Sequence, residues 1–290
     1  MAIERRPEWL KIRLASNSAY RAVRELIQDK NLHTVCRSAR CPNIGDCWSR
    51  KTATFMILGD VCTRNCRFCA VATGKAQPPD PEEPQRVALA VQKLGLRHAV
   101  ITSVTRDDLS DGGSHLFVKT IQEIRRIAPK CSIEVLIPDF RGNAEALNDV
   151  FSARPNILNH NLEVVPRLYP KARPKADFET SMDILNQAKK AGLINKTGIM
   201  VGLGETRDEL LGLFKSLVDI SLDILTIGQY LQPTPNNLKV EQFFKPEVFQ
   251  ELKILGEQSG IKHVESGPLV RSSYHAEEQI SRVDKRKWEA

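Results

Sequence analysis

Short apolar segments alternate with segments of helical periodicity along most of this 290-residue chain, and this alternation constrains the fold more than any other feature. The predicted strands are 53–58, 98–104, 132–137, 156–159, 198–201, 224–227 and 261–264. The predicted helices are 84–94, 115–127, 144–151, 178–191, 207–220 and 246–258. Because strands joined through helices run parallel, the pattern predicts an α/β fold, a partial (β/α) TIM-like barrel of about six parallel strands. A doubly wound open sheet is the alternative.

The cysteines are concentrated near the start of the chain, where six of the seven fall within 34 residues. They form two sets: Cys36, Cys41 and Cys47 (the N-terminal triad), and Cys62, Cys66 and Cys69 (the loop triad). The loop triad follows the first predicted strand, at the carboxyl rim of the predicted barrel. Three thiolates leave one iron of a four-iron cluster without a protein ligand, open to substrate or cofactor. The triads therefore predict a two-cluster redox enzyme, with structural zinc or buried structural cysteines as the alternative.

The triads and the predicted strands divide the chain into three parts. Residues 1–50 form a predicted N-terminal extension that carries the N-terminal triad, and 10–28 within it is predicted to be partly helical. Residues 51–265 form the predicted barrel, and residues 266–290 form a C-terminal tail. Cys131 stands outside both triads and is predicted to be a buried small hydrophobic residue.

The charge and hydropathy of the chain bound its partners and its compartment. A net charge of +7 favours acidic partners, whereas 6% aromatic residues provide no stacking platform for bases, so no nucleic acid partner is expected. The apolar segments are too short to cross a bilayer, so no membrane association is expected. Residues 1–11 lack the apolar centre of a signal peptide. We therefore expect a cytoplasmic, reducing environment, in which clustered cysteines bind metal.

The spacing of the loop triad, C-x₃-C-x₂-C, is the signature of the radical S-adenosylmethionine superfamily, and longer segments closely resemble the lipoyl synthase family. These segments are 33–36, 41–48, 53–69, 100–113, 198–206, 228–233 and 271–276. The resemblance extends from about Pro7 to Ala276. It implies the insertion of two sulfur atoms, at C6 and C8, into an octanoyl chain that is carried on a lysine of a lipoyl carrier domain.

The resemblance also implies a role for each triad and for the tail. A 4Fe-4S cluster on the loop triad would bind S-adenosylmethionine and generate a radical, and a second 4Fe-4S cluster on the N-terminal triad would donate sulfur. A serine of the segment 271–274 would be the fourth ligand of the second cluster; we assign Ser273, with Ser272 as the other candidate. The implied partners are octanoylated lipoyl carrier domains (acidic proteins), an electron donor such as ferredoxin or flavodoxin, and cluster-repair proteins.

A further set of residues, several of them just after predicted strands, is assigned to S-adenosylmethionine binding. The set is Phe68, Gly112, Gly113, Asn161, Glu163, Arg173, Gly204 and Glu205. Glycines permit close approach of the backbone to a ligand, and an arginine fork matches a carboxylate. Each of these residues also fits a turn, a cap or a solvated surface. His160 is the histidine that we place near the cofactor.

Two other functions are compatible with the sequence. One is another two-cluster radical sulfur transferase such as a tRNA methylthiotransferase, which the basic charge would suit, although the chain shows no appended RNA-binding module. The other is a non-catalytic metal-binding module, which would fill every ligand position on both metals and would have no affinity for S-adenosylmethionine.

Overall fold

The computed structural model describes residues 7–11 and 17–283. The strands of this part of the chain are β1 (His33–Thr34), β2 (Thr54–Ile57), β3 (Val61–Cys62), β4 (Ala72–Thr73), β5 (His98–Ser103), β6 (Ser132–Leu136), β7 (Ile157–Asn159), β8 (Ile194–Val201), β9 (Ile224–Gln229) and β10 (His263–Gly267). Its α-helices are α1 (Ser18–Asp29), α2 (Val35–Ser38), α3 (Ile44–Ser49), α4 (Glu83–Leu94), α5 (Ser114–Ile127), α6 (Ala144–Ser152), α7 (Tyr169–Ala172), α8 (Phe178–Lys190), α9 (Arg207–Asp219), α10 (Pro246–Ser259) and α11 (Ala276–Val283). Short 3-10 turns cover Glu8–Leu10, Phe140–Gly142 and Pro166–Leu168.

The main sheet has the strand order β1-β2-β5-β6-β7-β8-β9-β10. β1 is antiparallel to β2 at one edge, and each later pair of neighbours is parallel. Within the described residues, no ladder joins β10 back to β1 or β2, so the sheet is open at that seam. The spatial order of the strands follows the chain order, as in a (β/α) barrel, whereas a doubly wound sheet reverses it. The predicted partial barrel is confirmed, with seven parallel strands over residues 17–283 rather than about six.

The amphipathic helices of the barrel begin and end close to their predicted bounds because local signals mark both ends. α9 begins with a capping box, in which Thr206 and Glu209 satisfy each other's backbone amides. Asp177 caps the amino end of α8, and its side chain accepts a hydrogen bond from the Thr180 amide. Gly95, in the left-handed conformation, caps the carboxyl end of α4. Apolar faces of these helices pack on the sheet and form its core.

The elements that the sequence missed are short or carry polar residues. The short elements β1, β3, β4, α2, α3 and α7 span two to six residues, too few for a periodic signal. β8 begins at Ile194 rather than at residue 198. The prediction missed its first half because buried polar residues there interrupt the apolar run. α11 was also missed. Its Ile280 packs against Ile157 and Ile224, the first residues of β7 and β9, so α11 covers the amino end of the sheet.

A buried polar network lies within the sheet, between neighbouring strands. The Glu134 carboxylate accepts hydrogen bonds from Lys196 Nζ at 3.0 Å and Asn159 Nδ2 at 2.8 Å, and His98 Nε2 lies 3.4 Å away. Burial raises the pKa of Glu134, but Lys196 and His98 outweigh it and hold that pKa at about 2. Burial also lowers the pKa of Lys196, and Glu134 opposes this effect. Because the Glu134 carboxylate has several partners, these contacts stabilise the ionised forms of Glu134 and Lys196.

The described residues do not include every part of the predicted extension and tail. Residues 1–6, 12–16 and 284–290 lie outside them, and with them part of the segment predicted to lack a signal peptide and part of predicted helix 10–28. The domain boundaries at residues 50 and 265 remain a prediction. None of the described helices has both the length and the apolar character needed to cross a membrane.

Candidate active site

A cavity of about 510 Å³ lies within the open barrel. Its wall combines the N-terminal extension, the loop after β3, the inner faces of several strands, and the tail. Nine residues predicted from the sequence line it: Cys36, Cys41, Cys47, Phe68, Cys69, Asn161, Glu163, Ser272 and Ser273. Cys62 and Cys66 are half-buried elsewhere in the loop that carries Cys69. The structure therefore brings the N-terminal triad, one edge of the loop triad and the tail serines to a single cavity.

The N-terminal triad is held by two short helices and the turn between them. Cys36 lies in α2, Cys47 lies in α3, and the Cys41 amide donates to the Cys36 carbonyl at 3.0 Å. Burial raises the pKa of Cys36 to about 11, and the neighbouring Cys41 raises it further. The pKa of Cys47 is raised to about 12 by burial and then by Cys36 and Cys41. Both shifts include repulsion from a neighbouring thiolate of the same triad, which a bound metal would relieve.

The N-terminal extension is fastened to the C-terminal part of the chain across the cavity. Asn43 Nδ2, between two cysteines of the N-terminal triad, donates to the Leu269 carbonyl at 2.6 Å. Arg40 Nη1 donates to the Pro233 carbonyl at 3.3 Å. Leu269 immediately precedes the segment of residues 270–274 that lines the cavity. This link explains how residues more than two hundred positions apart in the chain reach one site.

The loop triad lies in a tightly turned segment that begins at β3. The Cys69 amide donates to the Cys66 carbonyl at 3.0 Å, and the Val71 amide donates to Cys69 Sγ at 3.4 Å. The Arg64 amide donates to Cys62 Sγ at 3.4 Å. Amide donors on sulfur stabilise a thiolate and tune the potential of an iron–sulfur cluster. Burial raises the pKa of Cys69 to about 12, and the Val71 amide opposes this shift.

Arg64, between the first two cysteines of the loop triad, is clamped by two aspartates. Its Nε and Nη2 donate to Asp107 at 2.7 and 2.8 Å, and its Nη1 and Nη2 donate to Asp139 at 2.6 and 2.7 Å. Asp107 follows β5 and Asp139 follows β6, so the clamp joins three adjacent strand-end loops. The Thr63 hydroxyl donates to the Thr105 carbonyl and accepts from the Asp107 amide. The loop conformation is thus specified by protein contacts as well as by any bound cluster.

Asn161 and Glu163 follow β7 and place polar atoms on the cavity wall. Asn161 Nδ2 donates to Glu163 Oε1 at 3.1 Å, whereas Asn161 Oδ1 is buried with no hydrogen-bond partner. Burial raises the pKa of Glu163, and the nearby Arg173 opposes it. Glu163 also has a φ of +72°, which is a strained backbone conformation for a non-glycine residue. Strain of this kind is concentrated at functional sites. These unpaired or strained polar groups fit a polar cofactor.

The other predicted cofactor residues have contacts away from the cavity. Arg173 Nη1 donates to the Asn161 carbonyl at 2.8 Å and to the Tyr169 hydroxyl at 2.9 Å, so it supports the Asn161 segment from behind. Glu205 accepts from the Gly202 amide at 2.5 Å and the Leu203 amide at 3.0 Å, which shapes the turn that contains Gly204. Arg173, Gly204 and Glu205 do not line the cavity. Their contact with S-adenosylmethionine remains a prediction.

Gly112 and Gly113 precede α5 and have contacts with neighbouring side chains rather than with the cavity. A Cβ at Gly112 would press on the ring of Phe140, and a Cβ at Gly113 would overlap the buried Leu58 side chain. Gly113 also has a φ of +90°. Close packing and backbone conformation require glycine at residue 113, and contact of either glycine with the cofactor remains a prediction.

We expect Gly113→Ala to lower the melting temperature more than the matched control Gly95→Ala. Both glycines are left-handed, so each alanine costs about 1–2 kcal/mol of backbone strain. At Gly95 a Cβ meets nothing within 4 Å, whereas at Gly113 the overlap with Leu58 adds about 1–3 kcal/mol. Calorimetric melting of the two variants measures the difference. Equal decreases in the melting temperature would show that the Leu58 side chain moves aside without a loss of stability.

Several cavity residues were not assigned from the sequence. They include Arg40, Met200, Thr226, Gly228, Tyr230 and Arg271. Gly228 is the most informative of them, because a Cβ there would collide with the Val270 carbonyl where the tail crosses β9. A glycine inside an apolar strand signals such a close approach, and it could have been read from the sequence. His160, in contrast, is buried beside the Ile137 carbonyl, outside the cavity wall, and burial lowers its pKa to about 4.

The class of protein follows from the fold and from its family model. The model of the radical SAM superfamily matches residues 56–217. Methylornithine synthase has a similar fold, with a TM-score of 0.55 at 16% identity over 72% of this chain and 69% of that protein. Coproporphyrinogen III oxidase of Escherichia coli also has a similar fold, with a TM-score of 0.53 at 14% identity over 70% of this chain and 51% of that protein. The chain belongs to the radical S-adenosylmethionine (SAM) superfamily.

Sequence relatives narrow the class to one family. The lipoyl synthase of Rubrobacter xylanophilus is 55% identical over 276 residues, which cover 94% of this chain and 86% of that protein. The lipoyl synthase of Caldanaerobacter subterraneus subsp. tengcongensis is 52% identical over 279 residues, 96% of this chain and 98% of that protein. The chain therefore belongs to the lipoyl synthase family, as the resemblance in its motifs predicted.

Proposed function

We propose that this protein converts an octanoyl group on a lysine of an acidic carrier domain into a lipoyl group by inserting sulfur at C6 and C8. The observation that carries the proposal is the single cavity that collects the N-terminal triad, Cys69 and the tail serines. Its wall also contains apolar side chains, among them Val35, Leu136, Ile199, Met200, Leu231 and Val270. An apolar acyl chain between two sets of thiols matches that composition.

The residues present fit the cofactors that the family requires. Each triad supplies three thiols from one short segment, and Ser273, or alternatively Ser272, offers an oxygen ligand to the cluster on the N-terminal triad. The unpartnered Asn161 Oδ1 and the Glu163 carboxylate offer acceptors to a ligand amine or hydroxyl. When bound, two 4Fe-4S clusters and S-adenosylmethionine supply the hydrogen-abstracting radical and the sulfur. A radical is required because no side-chain base removes a proton from a plain alkyl carbon.

The chain's own residues orient the reactants and exclude water. The Arg64 and Val71 amides hold two sulfurs of the loop triad, and the Arg64 clamp fixes the loop that carries them. Apolar side chains around the cavity keep water from a reactive radical. An oxygen ligand is harder than a thiolate and suits a cluster that must release sulfur, because it is more easily displaced. The implied partners are the carrier domain, a one-electron donor and cluster-repair proteins, and this thiol chemistry suits a reducing compartment such as the cytoplasm.

The test is an anaerobic reaction of the reconstituted protein with S-adenosylmethionine, dithionite and an octanoyl-lysine peptide, followed by mass spectrometry. We expect 5′-deoxyadenosine together with a peptide that has gained two sulfur atoms. Deoxyadenosine without sulfur on the peptide would reject this substrate and favour another, such as the RNA of a methylthiotransferase. Neither product from fully loaded protein would reject an enzymatic function and favour the metal-binding module.

The same assay decides between the two tail serines. We expect Ser273→Ala to abolish sulfur insertion while deoxyadenosine still forms, because the loop triad is unchanged. Ser272→Ala is the matched control and should retain sulfur insertion. The opposite result would transfer the ligand role to Ser272, and full sulfur insertion by both variants would contradict an oxygen ligand from the tail.

A further inference from the structure

A second concave surface lies on the outer side of the loop that carries the loop triad. This groove of about 660 Å³ (the outer groove) is lined by Arg67, Cys69, Lys171, Asn237, Lys239 and Glu241, among others. Cys69 also lines the inner cavity, so one cysteine residue forms part of both walls. At Cys69 the protein between the outer groove and the inner site is a single loop.

Both walls of the outer groove are hydrogen-bonded to this loop. Asn237 Nδ2 donates to the Cys69 carbonyl at 2.9 Å and to the Arg67 carbonyl at 3.1 Å. On the other side, the Arg67 amide donates to the Ala172 carbonyl at 2.9 Å, one residue from Lys171. The backbone segments that carry Lys171 and Lys239 are therefore held in a defined position relative to Cys69.

The outer groove is positively charged at its rim. Arg67, Lys171 and Lys239 are all exposed. Glu241 also lies in the lining and pairs with Lys171 at 3.6 Å, which leaves an excess of positive charge. Exposed cations around a concave surface steer an acidic partner into an encounter and add little to its final affinity. Such a surface suits a partner that binds briefly and leaves.

We propose that the outer groove is the docking surface of an acidic one-electron carrier protein that reduces the cluster on the loop triad. This inference rests on the proposed function, which requires electrons at that cluster. In the transfer, the carrier loses one electron and the cluster gains it, with no atom or proton transferred. The octanoyl chain, in contrast, has to reach the N-terminal triad and the tail serines, which line the inner cavity and not the outer groove. Electrons need only cross the loop at Cys69.

The test compares two double charge reversals in the reconstituted protein. Lys171→Glu with Lys239→Glu reverses the rim of the outer groove, and Lys93→Glu with Lys119→Glu makes the same charge change on the exposed surfaces of α4 and α5. The probe is a reduced flavodoxin with an acidic surface, mixed anaerobically with each protein. Stopped-flow absorbance follows cluster reduction, and calorimetry measures flavodoxin binding at several salt concentrations.

We expect the groove variant to lose about tenfold or more in the flavodoxin-driven rate and to bind flavodoxin more weakly, with a flatter salt dependence. The control variant should match the wild type, and dithionite should reduce all three proteins equally. An unchanged flavodoxin-driven rate in the groove variant would overturn the proposal. A groove variant that instead raises the KM for an octanoylated carrier domain with dithionite would assign the surface to the substrate. Failure of wild-type sulfur insertion with dithionite would reject the proposed function itself and is measured separately.

Discussion

Arg64→Lys is expected to release iron from the loop triad without unfolding the barrel. Arginine holds Asp107 and Asp139 through four hydrogen bonds of 2.6–2.8 Å, and its planar fork matches two carboxylates at once. A lysine ammonium keeps the charge but cannot form both paired contacts. The loop between Cys62 and Cys66 would then lose its attachment to the ends of β5 and β6. Thiols that are no longer held in place bind a cluster less tightly.

The measurement requires the loop triad to be the source of all bound iron. Replacing the cysteines of the N-terminal triad with alanine provides that background. In it, Arg64→Lys should lose iron to a ferrous chelator about tenfold faster or more, as is typical when a residue that orients metal ligands is replaced. Arg67→Lys is the matched control, since it makes the same exchange on an exposed arginine three residues away. Equal rates of iron loss in the two variants would show that the clamp does not hold the loop.

Lys196→Met should be among the most destabilising substitutions in the barrel. Lys196 and Glu134 are fully buried, with Nζ 2.9 Å from Oε1. Removing the lysine leaves an ionised carboxylate in the core with only Asn159 and His98 as partners, which costs about 3–5 kcal/mol. The double variant Glu134→Gln with Lys196→Met removes both charges and should recover most of this loss, because a buried ion pair adds little beyond a neutral replacement.

Lys262→Met provides the control for this pair. Lys262 contacts the buried Asp223 at 2.6 Å, but Lys189 binds the same carboxylate at 2.6 Å and would remain. We therefore expect Lys262→Met to cost under about 1 kcal/mol, because the Lys262 side chain is 59% exposed and Asp223 keeps its other cation. Melting temperatures of the four proteins by calorimetry test the series. A double variant as unstable as Lys196→Met would show that the network contributes more than charge compensation.

The buried pair also predicts a dependence of stability on pH. The pKa of Glu134 is about 2 in the folded protein, below its ordinary value of 4.5. Its contribution to stability is therefore fully present above about pH 4.5 and is lost as the pH falls towards 2. The stability difference between the wild type and Glu134→Gln with Lys196→Met should shift over that range in favour of the double variant. A constant difference would contradict the low pKa.

Much of the fold was predictable because its signals are local. Helical periodicity and capping residues placed α8 and α9 within one residue of their predicted bounds. The strand–helix alternation predicted the partial barrel. β8 shows the limit of this approach, since Asn195, Lys196 and Thr197 are polar yet fully buried. A pattern of hydrophobic residues cannot reveal a strand whose polar side chains are satisfied by partners on other elements and loops.

The chemistry of the site was likewise predictable from the local spacing of the cysteines. Both triads are recognisable because a cluster-binding segment places its thiols within a few residues of one another, and that spacing is visible in the chain. The contacts that assemble the site are not local. Arg64 meets Asp139 from 75 residues away, and Asn43 meets Leu269 from 226 residues away. The sequence by itself determined the strand–helix order and the two sets of thiols. Only the tertiary structure decided that the N-terminal triad, Cys69 and the tail share one cavity, because the sheet's strand order sets which loops become neighbours.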